Sequence, residues 1–195
     1  MAEPLTKKQI LDATEQVLRK FGLEKTSVVD VAKALNVSHG TLYRHFKSKA
    51  TLKEAVAERW LHEVSVPLAS IVDKEGSAIE KVRMWLEKLI HIKQTKASED
   101  PELFAMYNAL AEENVESIEK HIKELISQLA EIVEEGVNAG EFQNDNINEK
   151  ASAIFFATAR FHHPALAKEW TSPNIKKEFN VVFDIIKFGI VKNIK

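Results

Sequence analysis

Apolar residues recur at helical spacing along most of the chain, and this feature constrains the fold more than any other. The intervals of three and four residues place each set on one side of a helix with 3.6 residues per turn. Two such stripes are Ile10, Ala13, Thr14, Val17, Leu18 and Phe21, and Ile118, Ile122, Leu125, Ile126, Leu129, Ile132 and Val133. No segment shows sustained alternation of Val, Ile or Thr between tight turns, the pattern of strands. The sequence therefore predicts an all-α fold of about nine helices.

Short polar residues mark where several of these helices begin. In three places a Ser or Thr is followed three residues later by Gln, Asp or Glu, the sequence of a capping box: Thr6 to Gln9, Ser27 to Asp30 and Ser77 to Glu80. Gly22 is expected to end the first helix, because glycine readily adopts the left-handed conformation at a helix C-terminus. The last two helices are expected over residues 147–168 and from 172 to the C-terminus.

Charge is distributed unevenly along the chain. Residues 1–60 carry 11 Lys and Arg against 7 Asp and Glu, a net charge of +4, whereas residues 61–195 carry 16 against 22, a net charge of −6. The formal charge of the whole chain is −2, which on its own would argue against a nucleic-acid partner. The basic N-terminal part nevertheless favours binding to phosphate groups.

Residues 29–46 have the layout of two helices joined by a tight turn. The small side chain of Ala32 lies where the helices would cross, and Val37 would fill the turn. Asn36 suits a positive φ at this turn, and Ser38 can cap the following helix. The outward positions of that helix are small, hydrogen-bonding or basic, which suits a helix in the major groove of DNA: His39, Gly40, Thr41, Tyr43, Arg44 and His45.

Two kinds of DNA contact are predicted for this segment. Contacts to phosphate oxygens, which position a protein without reading sequence, are expected from Tyr43, from the groups around Ser38 and from Lys49. Contacts to base edges are expected from His39, Thr41 and either Arg44 or His45. Gly40, at the helix start, and Ser27 are also included among the predicted DNA-binding residues.

The sequence SHGTLYRHFKSKATL at residues 38–52 resembles the S-x-G-x-L-Y-x-H-F-x-x-K-x-x-L signature of TetR/AcrR transcriptional regulators. Residues upstream, from Ile10 to Ala32, resemble the first helices of the same family, so the resemblance covers about residues 6–60. The chain departs from the family at Leu35-Asn36, where a glycine is usual. Because asparagine tolerates positive φ, we expect the turn to form.

The resemblance implies two domains with different tasks. Residues 1–50 would form a three-helix helix-turn-helix DNA-binding domain, and residues 51–195 a helical effector-binding and dimerisation domain. A homodimer would bind double-stranded operator DNA and be released by a small-molecule effector of unknown identity, which tilts the helix after Ser48. The sequence leaves repression and activation open, and repression is the usual mode of the family.

The last two helices are the predicted dimer interface. The final helix carries two apolar stripes, too wide together for a helix that packs on one core: Ile175, Phe179, Val182, Phe183, Ile186 and Ile190, and Val181, Ile185 and Phe188. The helix before it is almost uncharged from Ala151 to Ala159. A symmetric four-helix interface would cover the second stripe, and complete burial inside one subunit is the alternative.

Aromatic residues on the middle helices are the candidates for effector binding, together with one cation. They are Trp85, Phe104, Tyr107, Phe155, Phe156 and Arg160, and most of the aromatic ones could equally be core residues. Arg160, His162 and His163 follow an apolar run, where each needs either a structural partner or an anionic group of a ligand. Adjacent histidines on a helix point about 100° apart, so no metal site is expected there.

Other function classes find less support. The chain has no G-x-S-x-G sequence, no phosphate-binding glycine loop and no His/Glu metal spacing, so neither an enzyme nor a bound cofactor is expected. A helical adaptor would leave the face from His39 to Lys49 without a purpose. The chain has no cysteine, no secretory signal and no apolar run of about 20 residues, which predicts a cytoplasmic protein without a membrane span.

Overall fold

Helices make up most of the structure, a computed structural model that describes residues 5–144 and 146–192. The α-helices are α1 (Lys7–Lys25), α2 (Val28–Ala34), α3 (His39–His45), α4 (Lys49–Val72), α5 (Ala78–Glu99), α6 (Pro101–Glu112), α7 (Val115–Asn138), α8 (Ile147–Ala157), α9 (Ala159–His162) and α10 (Ile175–Ile190), and a 3-10 helix spans Pro164–Thr171. Within the described residues, Phe142 and Val191 form an isolated antiparallel bridge and no strand is present. None of the described helices is long and apolar enough to cross a membrane. The predicted all-α class is confirmed.

The predicted helix over residues 147–168 is divided in the structure. α8 and α9 are separated at Thr158, and the 3-10 helix begins at Pro164. The Thr158 hydroxyl lies 3.0 Å from two carbonyl oxygens of the preceding turn, so it competes with the backbone hydrogen bonds of the helix. Pro164 has no N–H group with which to continue the helix. The described chain therefore has ten α-helices and one 3-10 helix rather than about nine helices.

The helix starts predicted from capping sequences agree with the structure, whereas the predicted start of the last helix does not. Thr6 and Ser27 both cap their helices through reciprocal hydrogen bonds with the residue three positions on, and the Glu80 carboxylate accepts from the Ser77 backbone N–H at 3.2 Å. The last helix begins at Ile175 rather than at residue 172. Its predicted final residues, 193–195, lie outside the described part of the chain.

Gly22 interrupts α1 without ending it. Its φ of 76° is the predicted left-handed value, yet the chain resumes a helical turn that reaches Lys25. Phe21 was expected on the buried stripe and this is wrong, since 44% of the residue is exposed. The stripe ends one turn earlier because the helix is broken directly after Phe21, whose ring instead lies 5.2 Å from the Lys20 ammonium.

The first of two compact units comprises the chain up to Leu61 together with Asp100–Ile118. Its core is formed where α1, α2 and α3 meet: Ile10, Ala13, Val17, Val28, Val31, Ala32, Leu42, Phe46 and Leu52 are buried there. Burying a Val, Leu, Ile or Phe side chain contributes about 1.5–3 kcal/mol, so this small cluster can hold three short helices together. The compact units reflect contacts within the chain and do not test a division by function. The predicted functional boundary at residue 50 therefore stays a prediction.

The second unit comprises His62–Glu99 and the chain from Glu119 onward. Its core joins residues of α4, α5, α7, α8 and α10, among them Trp85, which is fully buried. The Trp85 indole N–H donates to Gln128 at 3.0 Å, and the Gln128 amide donates to the Ser65 carbonyl at 3.2 Å. Gly136 lies so close to Phe142 that an added Cβ would be 2.4 Å from its ring. Glycine is therefore required at this contact.

Candidate functional site

The turn between α2 and α3 has the geometry of a helix-turn-helix. Asn36 adopts a φ of 53°, and the Val37 N–H donates to the Ala32 carbonyl at 3.0 Å. Ala32 is 4% exposed, as expected for a small residue at the helix crossing. Leu42 is buried on the inner side of α3. The opposite side of α3 therefore points away from the core of the first unit.

Hydrogen bonds organise the polar side chains at the start of α3. The Ser38 hydroxyl accepts from the Thr41 N–H at 3.2 Å and lies 2.8 Å from the Thr41 hydroxyl. The Arg44 guanidinium donates to that same hydroxyl at 3.3 Å. Thr41 thus links the capping residue to the cation, and the three side chains form one continuous polar surface. Such a surface offers both donors and acceptors to DNA.

Aromatic and small residues complete this surface. The rings of His39 and Tyr43 contact edge to face, with centroids 4.6 Å apart, and Tyr43 is 41% exposed. Gly40 is exposed, and a Cβ added to it would meet only the Ser38 hydroxyl, at 3.9 Å. Packing within the described protein therefore does not require glycine here. A bare helix start would let another molecule approach the backbone closely.

The remaining residues predicted to contact DNA differ in their solvent exposure and in their hydrogen bonds within the protein. Lys49 is exposed at the start of α4, and His45 is half-buried. The Ser27 hydroxyl donates to the Asp30 carboxylate at 2.5 Å, and this bond lowers the pKa of Asp30. Because its hydroxyl proton is already used, Ser27 could contact DNA only through its remaining acceptor capacity. Its DNA contact stays a prediction.

The aromatic candidates for effector binding fall into the two units. In the first unit, Phe104 and Tyr107 are buried beside Trp60, with the Tyr107 ring stacked at 5.2 Å between centroids. In the second unit, Trp85 and Phe155 belong to the core. The remaining aromatic candidate, Phe156, and the cation Arg160 are exposed. The structure thus does not bring the six residues into a single cluster, and their role stays a prediction.

Structural partners account for the polar groups that follow the apolar run of α8. Arg160 forms ion pairs with Glu169 at 3.3 Å and Glu178 at 3.0 Å. His162 is 2% exposed, and its Nε2 lies 3.2 Å from the Phe155 carbonyl. Burial and the charge of Lys93 lower the pKa of His162 to about 3, so this imidazole is neutral at pH 7. His163 is exposed.

Lys93 and His121 are among the buried polar residues that were not predicted from the sequence. Lys93 is 7% exposed and His121 is 6% exposed, and both lie in the second unit. Burial lowers the pKa of Lys93 to about 8, whereas burial, Lys93 and His62 together lower the pKa of His121 to about 3. The signal was present, because Lys93 follows Leu89 by four residues and His121 precedes Leu125 by four. Each therefore occupies a core position on an apolar stripe.

Comparison with known families gives two matches. Residues 10–56 match the bacterial regulatory proteins of the tetR family, and residues 78–183 match the tetracyclin repressor-like C-terminal domain. The second match alone covers more than half of the chain. The first includes all of α2 and α3, and thus the polar surface at the start of α3.

Individual relatives match over part of their length. The HTH-type transcriptional regulator TtgR of Pseudomonas putida is 36% identical over 70 residues, which are 36% of this chain and 33% of TtgR. The nucleoid occlusion factor SlmA of Vibrio atlanticus is 32% identical over 85 residues, 43% of each chain. The chain thus matches less than half the length of either relative.

Solved structures share the fold over nearly the whole chain. SmeT, the repressor of the Stenotrophomonas maltophilia multidrug efflux pump SmeDEF, superposes with a TM-score of 0.69 at 18% identity. The superposition covers 97% of this chain and 92% of SmeT. At this identity the similarity establishes the architecture and leaves the ligands of each protein to be determined separately.

Proposed function

Because the chain belongs to the TetR family of bacterial regulatory proteins, we propose that it represses transcription by binding operator DNA through α2 and α3. The observation that carries this proposal is the polar surface at the start of α3. Its members His39, Gly40, Tyr43 and Arg44 are all exposed, although they belong to a helix of only seven residues. The proposed function includes no catalysis. It also implies that the protein acts in the cytoplasm.

Contacts within α3 support separate roles for base-reading and phosphate-contacting residues on DNA. The Thr41 hydroxyl is held by Ser38 and Arg44, which leaves it one fixed hydrogen-bonding group, either its proton or one lone pair, for a base edge. Tyr43 and Lys49 are exposed and can reach phosphate oxygens, which carry no sequence information. Base reading by Thr41 and Arg44 would thus be separate from positioning by Tyr43 and Lys49.

The proposed functional form is a homodimer that pairs through α8 and α10. One stripe of α10 packs in the core of the second unit, while Val181, Ile185 and Phe188 are 54%, 68% and 77% exposed. On α8, Phe156 is 57% exposed. Large apolar side chains exposed on two helices mark a surface for association, and a symmetric pairing would bury the same residues on both subunits.

Release by a small-molecule effector completes the proposal. α4 is one continuous helix, with its residues up to Leu61 in the first unit and those from His62 in the second. A ligand that displaces the second half of α4 would therefore change the position of its first half, next to α3 in sequence. Such coupling is reciprocal, so operator DNA should weaken effector binding by the same factor.

Fluorescence anisotropy tests the DNA-binding function directly. Purified protein is titrated into labelled DNA from the flanks of its own gene and into random DNA of equal length, at two salt concentrations. We expect tighter binding to the flanking DNA, with an affinity for both that falls as salt rises because phosphate contacts release counterions. Equal affinity for flanking and random DNA at both salt concentrations would contradict the proposal.

A further inference from the structure

Two buried lysines of α5 have opposite surroundings. Lys81 is 4% exposed, and its ammonium donates to both Glu135 carboxylate oxygens at 2.7 Å and to the Val72 carbonyl at 3.1 Å. Lys93, 7% exposed, has neither a hydrogen bond nor an ion pair within residues 5–144 and 146–192. A buried ammonium without a partner is energetically unfavourable. Lys93 is therefore a cation that lacks its counter-charge.

An imidazole with an unused nitrogen lies near this cation. His121 Nε2 is buried and has no hydrogen-bond partner among the described residues. The positive charge of Lys93 also contributes to the lowered pKa of both His121 and His162. His162 already uses its Nε2 on the Phe155 carbonyl. Lys93 and His121 are thus two buried groups of the second unit with hydrogen-bonding capacity to spare.

Helix geometry places Lys93 and His121 at the same level of the second unit. α5 and α7 contact through Trp85 and Gln128, whose side chains are hydrogen-bonded. Lys93 lies eight residues after Trp85, about 12 Å along its helix, and His121 lies seven residues before Gln128, about 10 Å along its own. α5 and α7 run antiparallel, because Lys81 contacts Glu135 whereas Trp85, one turn later on α5, contacts the earlier Gln128 on α7. The two steps therefore lead to the same level of the helix pair.

We propose that Lys93 and His121 bind the carboxylate of an otherwise apolar effector. This inference rests on the proposed function, because it specifies the chemical class of the molecule that releases DNA. An ammonium and a neutral imidazole together supply donors and one positive charge, which matches a single carboxylate. Leu89 and Leu125 are buried one helical turn from Lys93 and His121, so apolar side chains would contact the rest of the molecule. Arg160 is not needed for this role, since two glutamates already pair with it.

Isothermal titration calorimetry with matched pairs of ligands tests the site. The probes are hexanoate, benzoate and decanoate, and the uncharged counterparts are hexanol, benzyl alcohol and decanol. We expect at least one carboxylate to bind the full-length protein at least tenfold more tightly than its alcohol. The variant Lys93→Met should lose at least tenfold in affinity for that carboxylate and keep its affinity for the alcohol.

Two further variants separate the site from general effects of charge and folding. Lys88→Met removes an exposed lysine of the same helix and should leave carboxylate affinity unchanged. His121→Leu should weaken carboxylate binding severalfold while the alcohol binds as before. The proposal is overturned if no carboxylate binds more tightly than its alcohol, or if Lys93→Met binds carboxylates as tightly as the parent protein.

DNA binding is measured on the same samples, so that failure of the proposed regulator function can be distinguished from failure of the proposed carboxylate site. If the protein binds carboxylate through Lys93 but shows no preference for flanking DNA, the proposed regulator function is contradicted and the anion site is retained. If it prefers flanking DNA but binds no carboxylate through Lys93, the regulator function is retained and the anion site is contradicted. If both hold, the carboxylate that binds should lower the affinity for flanking DNA in the parent protein and not in Lys93→Met.

Discussion

Replacing Lys93 with methionine is expected to stabilise the protein by about 3 kcal/mol at pH 7. Burial lowers the pKa of Lys93 from 10.5 to about 8, and each unit corresponds to about 1.4 kcal/mol of difference between the protonation states. Methionine fills a similar volume without a charge, and it joins an α5 stripe that already contains Leu86 and Leu89. The gain equals the free energy that the buried, unpaired ammonium costs the parent protein.

The same reasoning fixes the pH dependence of this effect. With a lower pKa in the folded state, the unfolded chain keeps the Lys93 proton to higher pH, so the stability of the parent protein rises between pH 8 and 10.5. The advantage of Lys93→Met is complete below pH 8 and is lost as the pH approaches 10.5. At pH 9.5 it should have fallen from about 3 to about 1.5 kcal/mol.

Urea unfolding followed by tryptophan fluorescence measures both quantities, at one protein concentration and at pH 7 and 9.5. Lys81→Met is the matched control on the same helix, and it should instead lose about 1–2 kcal/mol because it breaks the ion pair with half-exposed Glu135. Lower stability of Lys93→Met at pH 7 would refute the reasoning. So would a stability difference from the parent that is the same at both pH values.

Three further predictions concern DNA binding and assembly. Gly40→Ala should raise stability by up to about 1 kcal/mol yet weaken operator binding at least about tenfold, and unchanged DNA affinity would contradict the close approach. Tyr43→Phe and Lys49→Ala should weaken binding to operator and random DNA alike, whereas Thr41→Ala should mainly change sequence preference; equal losses for all three would contradict the separate roles. Ile185→Glu should make the protein monomeric in sedimentation experiments, and a persisting dimer would exclude the α10 interface.

The helix-turn-helix was predictable because its signals are local. Thr6, Ser27 and Ser38 each cap a helix through atoms three residues away, and Asn36 fixes the turn by its own backbone preference. Such interactions depend little on the rest of the chain. The periodicity of α10 likewise identified its buried and exposed stripes, because both follow from 3.6 residues per turn.

Features that depend on tertiary packing were not predictable from periodicity alone. Phe21 lies on the correct side of α1 yet is exposed, since the break at Gly22 ends the buried stripe. The break at Thr158 depends on a hydroxyl that could equally have pointed elsewhere. Lys93 and His121 lie about 30 residues apart in the sequence, so their placement at one level could be recognised only once α5 and α7 were seen to pack together.

Footprinting of the DNA that flanks the gene for this protein tests the central claim most directly, because it reports on sequence selectivity and on the two-fold symmetry expected of a bound dimer. We predict two protected half-sites related by two-fold symmetry, with centres about one helical turn, roughly 34 Å, or a small multiple of it apart. Protection should disappear with Gly40→Ala at the same protein concentration. Uniform protection of all sequences, or none at concentrations where the protein is dimeric, would contradict the assignment of this chain as a sequence-specific repressor.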